Sequence, residues 1–182
     1  QIDGGAGDDV IVATGTANPL VEEEDRNVII GGDGNDTVIA AGAGNFITGD
    51  GGSDTLAVAG GGNVLSGGEG EDAIEVIGGI NVVTGDAGND TIDVTGAGNY
   101  IDGGAGNDII DITGGLNVAI GGAGDDILHA DGFGNNLDGG SGNDVLTSQG
   151  GGNTLVGGTG NDILVGGDSN ETYVFNLRGG SD

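Results

Sequence analysis

The chain has 182 residues and a formal net charge of −28, from 30 acidic and 2 basic side chains, with 47 glycines, one proline and no cysteine. That balance argues against a nucleic-acid binder or an electrostatic membrane anchor, which need Lys and Arg. It also removes disulfide frameworks and thiolate metal sites, and no apolar run approaches the roughly 18 residues that span a bilayer. Glycine at this density loses much backbone entropy on folding, and 35 % apolar content offers only a thin core. Folding therefore needs a further attractive term, and the charge points to cations.

The chain opens at Gln1 in mid-pattern, with neither a starting Met nor a signal peptide, and reads as a piece of a larger protein. From Gly4 it carries a nine-residue beat. The first block is GGAGDDVIV (4–12). The next, ATG (13–15) with NVII (27–30), is a second type of block with nine residues inserted in its turn, inside TANPLVEEEDR (16–26). We read that insert as a solvated loop that leaves the stacking undisturbed, with a partner-binding loop as the alternative.

From Gly31 the two types alternate without interruption. The first includes GGDGNDTVI (31–39), GDAGNDTID (85–93), GGAGNDIID (103–111) and GGTGNDILV (157–165). The second includes AAGAGNFIT (40–48), VTGAGNYID (94–102) and SQGGGNTLV (148–156). Both are apolar at place eight; at place six the first type always has Asp and the second always Asn. Places one to six are turn-formers, and places seven to nine make a short strand with its central side chain inward. Two blocks make one coil of eighteen residues, and coils stack in parallel about 4.8 Å apart. The pattern predicts an all-β parallel β-solenoid of about nine coils. Its inner columns run Val38, Leu56, Ile74, Ile92, Ile110, Leu128, Leu146, Leu164 and Ile47, Leu65, Val83, Ile101, Ala119, Leu137, Leu155, with Val58, Val76, Val94 and Ile112 one step further along the first strand. Residues 4–165 form the regular coils of a single domain over 1–182. In 166–182 the pattern degenerates, with Glu171 at place six, Tyr173 at place eight and a truncated turn at LRGGSD (177–182).

Eighteen-residue spacing stacks Asp9, Asp36, Asp54, Asp72, Asp90, Asp108, Asp126, Asp144 and Asp162 on one edge. Such a column repels itself and raises its own pKa values unless it is neutralised. Carboxylates with main-chain carbonyls of places one to four, for instance Gly85, Ala87, Gly103, Gly104, Ala105 and Gly106, make the hard, flexible oxygen cage that suits Ca²⁺; Mg²⁺ wants stricter octahedral geometry. The other edge carries Asn45, Asn63, Asn81, Asn99, Asn117, Asn135 and Asn153, with Asn27 at the insertion turn. Asn lacks the charge for ion binding but can build a stacked amide ladder.

The tandem GGxGxDxUx blocks, with U apolar, resemble the RTX (repeats-in-toxin, hemolysin-type) calcium-binding family across residues 4–174. The resemblance implies a right-handed parallel β-roll with one ion between successive acid-bearing turns, hence about eight Ca²⁺ in single file, held by the place-six Asp residues and turn carbonyls. Typical members bind ions along both edges, whereas this chain departs from the pattern with its Asn edge. The resemblance further implies an extracellular bacterial module, exported unfolded by type I secretion machinery and folding on external calcium. Its parent would be a toxin, protease, lipase, alginate epimerase, adhesin or surface-layer protein.

Other functions are weaker on the residues. The single histidine, His129, stands at an outward place nine, no catalytic constellation appears, and the GxGxxG-like matches lack a following helix, so no enzyme is expected. Glu75, Asp93 and Asp111 form an outward acidic row, read as a solvated face, with further weak cation binding as the alternative. Ice binding needs a regular Thr-like column, and place three (Ala6, Asp33, Gly51, Glu69, Ala87, Ala105, Ala123, Ser141, Thr159) is too irregular. The outward Phe46, Val64, Val82, Tyr100 and Val118 at place seven are either corner packing or a surface for a protein or glycan.

Overall fold

The computed structural model describes residues 1–14, 27–167 and 169–175; the insertion at 16–26 and the truncated turn at 177–182 lie outside them. Among the described residues there is no helix. Strands at eighteen-residue steps, from Val28–Asp33 and Phe46–Gly51 to Thr154–Thr159, pair in parallel into a ten-stranded sheet that Ile2–Ala6 and Thr172–Val174 complete. The intervening strands, from Val10–Thr14 and Thr37–Ala41 to Ile163–Val165, form a nine-stranded parallel sheet. The register is strictly one coil: Ile92 pairs with Ile74 and Ile110, and Ile101 with Val83 and Ala119. This is the expected parallel β-solenoid.

The expected inner columns are the core. Val38, Leu56, Ile74, Ile92, Ile110, Leu128 and Leu146 are buried, as are Ile47 through Leu155 on the facing sheet, while Leu164 is only partly covered. Val58, Val76, Val94 and Ile112 are buried beside them. Each core side chain stacks on its counterpart one coil away, so a thin core is still continuous along the rod.

One expectation is corrected. All but the last two strands are five or six residues long rather than three, and those of the ten-stranded sheet run on into the glycines of the following block. Strand Phe46–Gly51 includes Gly49, Asp50 and Gly51, and Gly32 pairs with Asp50 across the ladder. The turns shrink to three residues on the Asp edge, such as 34–36, and four on the Asn edge, such as 42–45. Glycine reads as a turn former in sequence, but within these strands it serves close coil contact: a Cβ on Gly32 (φ +112°), inside Val28–Asp33, would lie 2.8 Å from the carbonyl carbon of Gly5 in the coil before.

Candidate metal centre

Each three-residue turn of the Asp edge folds its place-six side chain back into the coil. Asp36, Asp54, Asp72, Asp90, Asp108, Asp126, Asp144 and Asp162 are all buried, most of them about 1 % exposed. A column that merely solvated the rod would face water, so that bland reading fails. One carboxylate oxygen is fully engaged. Oδ1 accepts the main-chain N–H of the Asp one coil earlier, as Asp90 Oδ1 does from Asp72 at 2.8 Å and Asp108 Oδ1 from Asp90 at 2.8 Å. The other oxygen is not. Oδ2 of Asp9 and of all eight buried aspartates is enclosed without a hydrogen-bond donor.

What lies beside those oxygens decides what they need. Place one is always Gly in the Asp-bearing blocks but Ala, Val, Ile or Ser in the Asn-bearing ones. A Cβ on Gly31 would meet Asp36 Oδ2 at 2.6 Å and the Gly49 carbonyl oxygen of the next coil at 2.7 Å. The same two oxygens crowd the same volume at Gly49, Gly67, Gly85, Gly103, Gly121 and Gly139. Two acceptor oxygens bordering one small volume with no donor between them repel, an arrangement that a cation would relieve. The donors are hard oxygens, which fits calcium. Among the described residues no three carboxylate or imidazole side chains converge on one point, so main-chain oxygens must supply much of any coordination shell.

The expected carbonyls divide accordingly. Gly85 O flanks Asp72 Oδ2 and Gly103 O flanks Asp90 Oδ2. Ala87 and Ala105 instead close the coil-to-coil ladder, accepting N–H bonds from Gly70 (2.7 Å) and Gly88 (2.8 Å). Gly104 O and Gly106 O face the backbone of Gly122 and Gly124.

The electrostatics follow from the burial. Loss of hydration, only partly offset by the N–H bond from the preceding Asp, pushes the carboxyls of Asp72, Asp90 and Asp144 up to about 6 and that of Asp126 up to about 7. Neighbouring carboxylates add to the rise, as Asp108 and Asp72 do for Asp90. Asp54 and Asp108 move the same way, led again by burial.

The Asn edge repeats this geometry with its charges resolved. Asn99 Oδ1 accepts the N–H of Asn81 at 2.8 Å and its Nδ2–H at 3.1 Å. Asn99 Nδ2 in turn donates to Asn117 Oδ1 and to the Gly78 carbonyl, both at 3.1 Å. The ladder runs from Asn27 through Asn45, Asn63, Asn81, Asn99 and Asn117 to Asn135 and Asn153. It meets a carboxylate at its end, where Asn153 Nδ2 donates to Glu171 at 3.3 Å. The two edges differ by one atom per coil: a donor where the Asp edge has a second acceptor.

A further ladder is not foreshadowed by the spacing. Place five of the Asp edge points outward, and its side chain accepts the main-chain N–H of place five in the following coil: Asn107 from Asp125 at 2.8 Å, Asp125 from Asn143 at 2.7 Å. It runs opposite in sense to the inner ladder. Its trace in the sequence is the Asn, Asp and Ser at place five, which turn propensity alone also explains. The outward acidic row pairs as expected, Glu75 with Asp93, Asp93 with Asp111 and Asp111 with His129, and His129 Nδ1 contacts the Thr147 hydroxyl at 2.8 Å. Phe46, Val64, Val82 and Tyr100 remain 39–47 % exposed.

A parallel solenoid with a buried carboxylate column on one edge defines a class: a repeat module with one edge of hard oxygen donors suited to cations. Compared with protein-family models, the chain matches the RTX calcium-binding nonapeptide repeat (4 copies) over residues 1–17, 23–56, 48–75, 77–110, 102–137, 111–146, 120–155 and 147–177. The chain belongs to that family. Comparison with curated proteins gave no match, and neither did comparison with solved structures.

Proposed function

We propose that this is a calcium-dependent structural module, a non-catalytic scaffold or secretion segment of a larger bacterial protein exported by a type I route. Calcium outside the cell supplies the free energy that closes its Asp edge. Asp9, Asp36, Asp54, Asp72, Asp90, Asp108, Asp126, Asp144 and Asp162 are the side-chain ligands, place-one carbonyls such as Gly85 and Gly103 assist them, and about eight ions lie between the nine acid-bearing turns. The observation that carries this reading is the unbroken series of buried Oδ2 atoms without donors. Binding that neutralises them in the folded state and not in the unfolded chain is folding free energy. Place-one glycine keeps the shared volume open, and the Oδ1 bond to the preceding amide fixes the carboxylate's direction.

The test is a calcium titration of the metal-free chain, followed by circular dichroism and calorimetry. The expected result is a passage from disorder to β structure at about eight ions per chain. A fold indifferent to chelator would overturn the proposal. A second reading, an adhesive module for a glycan or protein, draws on the exposed apolar column Phe46, Val64, Val82 and Tyr100; glycan-array or cell-surface binding abolished by Tyr100→Ser would support it.

A further inference from the structure

The outer ladder of the Asp edge is a clasp made without metal. It ties Asp8 to Asn35 (2.9 Å) and Asn35 to Ser53 (2.8 Å), and resumes from Asn89 to Asn107 (2.7 Å), Asp125 (2.8 Å), Asn143 (2.7 Å) and Asn161 (3.0 Å). Between these runs it fails on both sides of one turn. Glu71 N–H reaches only the Ser53 hydroxyl, at 3.4 Å. Glu71 is one methylene too long to take the amide of Asn89; their only contact is Asn89 Nδ2 to Glu71 Oε1 at 3.5 Å, near the limit for a hydrogen bond. Apart from the main-chain ladder and the inner carboxylate bonds shared by every coil, what crosses there is exposed: the Ser66 hydroxyl donates to Asp86.

Charge aggravates the gap. The four Asp-edge turns 31–36, 49–54, 67–72 and 85–90 hold nine acidic side chains, whereas the next four, 103–108, 121–126, 139–144 and 157–162, hold five. Turn 67–72 alone carries Glu69, Glu71 and Asp72, with Asp50 and Asp86 in the turns on either side. On the opposite edge the amide ladder passes this level intact, with Asn63 N–H donating to Asn81 at 2.9 Å.

We infer that turn 67–72 is the joint of the rod, where the Asp edge keeps the main-chain ladder common to every coil but lacks the place-five clasp, so that it opens first when cations are withdrawn, hinging about the continuous amide edge opposite. This rests on the calcium reading above and adds to it a place and an order. Elsewhere the place-five clasp holds adjacent turns together while cations exchange; at Glu71 nothing equivalent does.

Hydrogen–deuterium exchange of the whole chain, read peptide by peptide across a calcium titration, tests this. Peptides from 64–91 gain protection at a calcium midpoint about three- to fivefold above that of peptides from 103–147, the effect expected for loss of one main-chain clasp. Glu71→Asp keeps the charge but gives the residue the reach of Asp125, and it brings the two midpoints together. Asn107→Glu opens the same gap in the second run and raises the midpoint there. A single midpoint for all coils, with Glu71→Asp silent, sinks the joint and leaves calcium binding standing. Protection that ignores calcium everywhere removes the calcium reading and the joint with it.

Discussion

The two edges of this solenoid stack in the same one-coil register and differ at place six by one functional group, and the contrast isolates what the Asp edge lacks. On the Asn edge, Oδ1 of each residue takes an amide from the coil before, and Nδ2 finds the next Asn and a carbonyl such as Gly78 O. On the Asp edge, Oδ1 does the same, but Oδ2 sits enclosed with a carbonyl facing it. The first edge satisfies its own side chains by hydrogen bonds; the second leaves one acceptor per coil without a donor. On the calcium reading proposed above, metal dependence would be a missing donor repeated once per coil rather than a general weakness of a glycine-rich chain.

Removing the cation should expose the difference between the edges most severely. Chelation should abolish the β signal in circular dichroism at neutral pH, since a single uncompensated buried charge already costs several kcal/mol, of the order of a whole domain's stability. Next comes Gly103→Ala, whose Cβ would enter the volume shared by Asp108 Oδ2 and the Gly121 carbonyl, 2.6 Å from the latter. It should cost about 3 kcal/mol in calcium-saturated thermal unfolding and delete a calorimetric site, while Ala at the Asn-edge place one is already native in Ala40 and Ala130.

Exchanging the edges is the third test. Asn99→Asp removes the donor to Asn117 Oδ1 and Gly78 O and should destabilise the calcium-free state by about 2 kcal/mol, with recovery on adding calcium. Asp90→Asn should do the reverse, lowering ion stoichiometry in calorimetry while making the fold less sensitive to chelator. Acidification gives a smaller, graded effect. Because burial raises the carboxyls of Asp72, Asp90, Asp144 and Asp126 to about 6–7 from an ordinary 3.8, the metal-free folded state holds more protons than the unfolded chain between those limits. Its stability therefore rises as pH falls from about 7 toward 4 and is lost in the other direction. Circular dichroism in chelator at pH 7 and pH 5 should show β structure gained at the lower value. The smallest expected effect is on the Asn edge alone: Ile80 holds φ +64° where most Asn-edge turns have Gly at place five, so Ile80→Gly should stabilise by about 1 kcal/mol in thermal unfolding, independently of calcium.

Much of this is legible in the sequence, because an eighteen-residue period leaves little freedom. Apolar place eight and the alternation of Asp with Asn fix two sheets, two edges and their register, and residues such as Ile92 and Asn99 stand where spacing puts them. Strand length is not legible. Gly49 and Gly51 carry the local signature of a turn, and only the stacking of one coil against the next makes them strand. The inward fold of the carboxylates is hidden for a related reason: the clue is place one, Gly beside every Asp but Val58, Val76 and Val94 in the Asn blocks, and a missing side chain means something only when its volume is known to be claimed. Nor does spacing reveal the sense of a hydrogen bond, so Asn107 and Asp125 pass for ordinary turn residues.

The one-coil register has a consequence for how such a molecule can change in size. Every residue of a middle coil meets chiefly its own equivalents, so excising or duplicating eighteen residues between, say, Gly103 and Gly121 rejoins surfaces already matched to one another. Each such step alters the span by about 4.8 Å. The protein is thus a ruler graduated in whole coils, and its reach can drift over generations without any single position having to be reinvented.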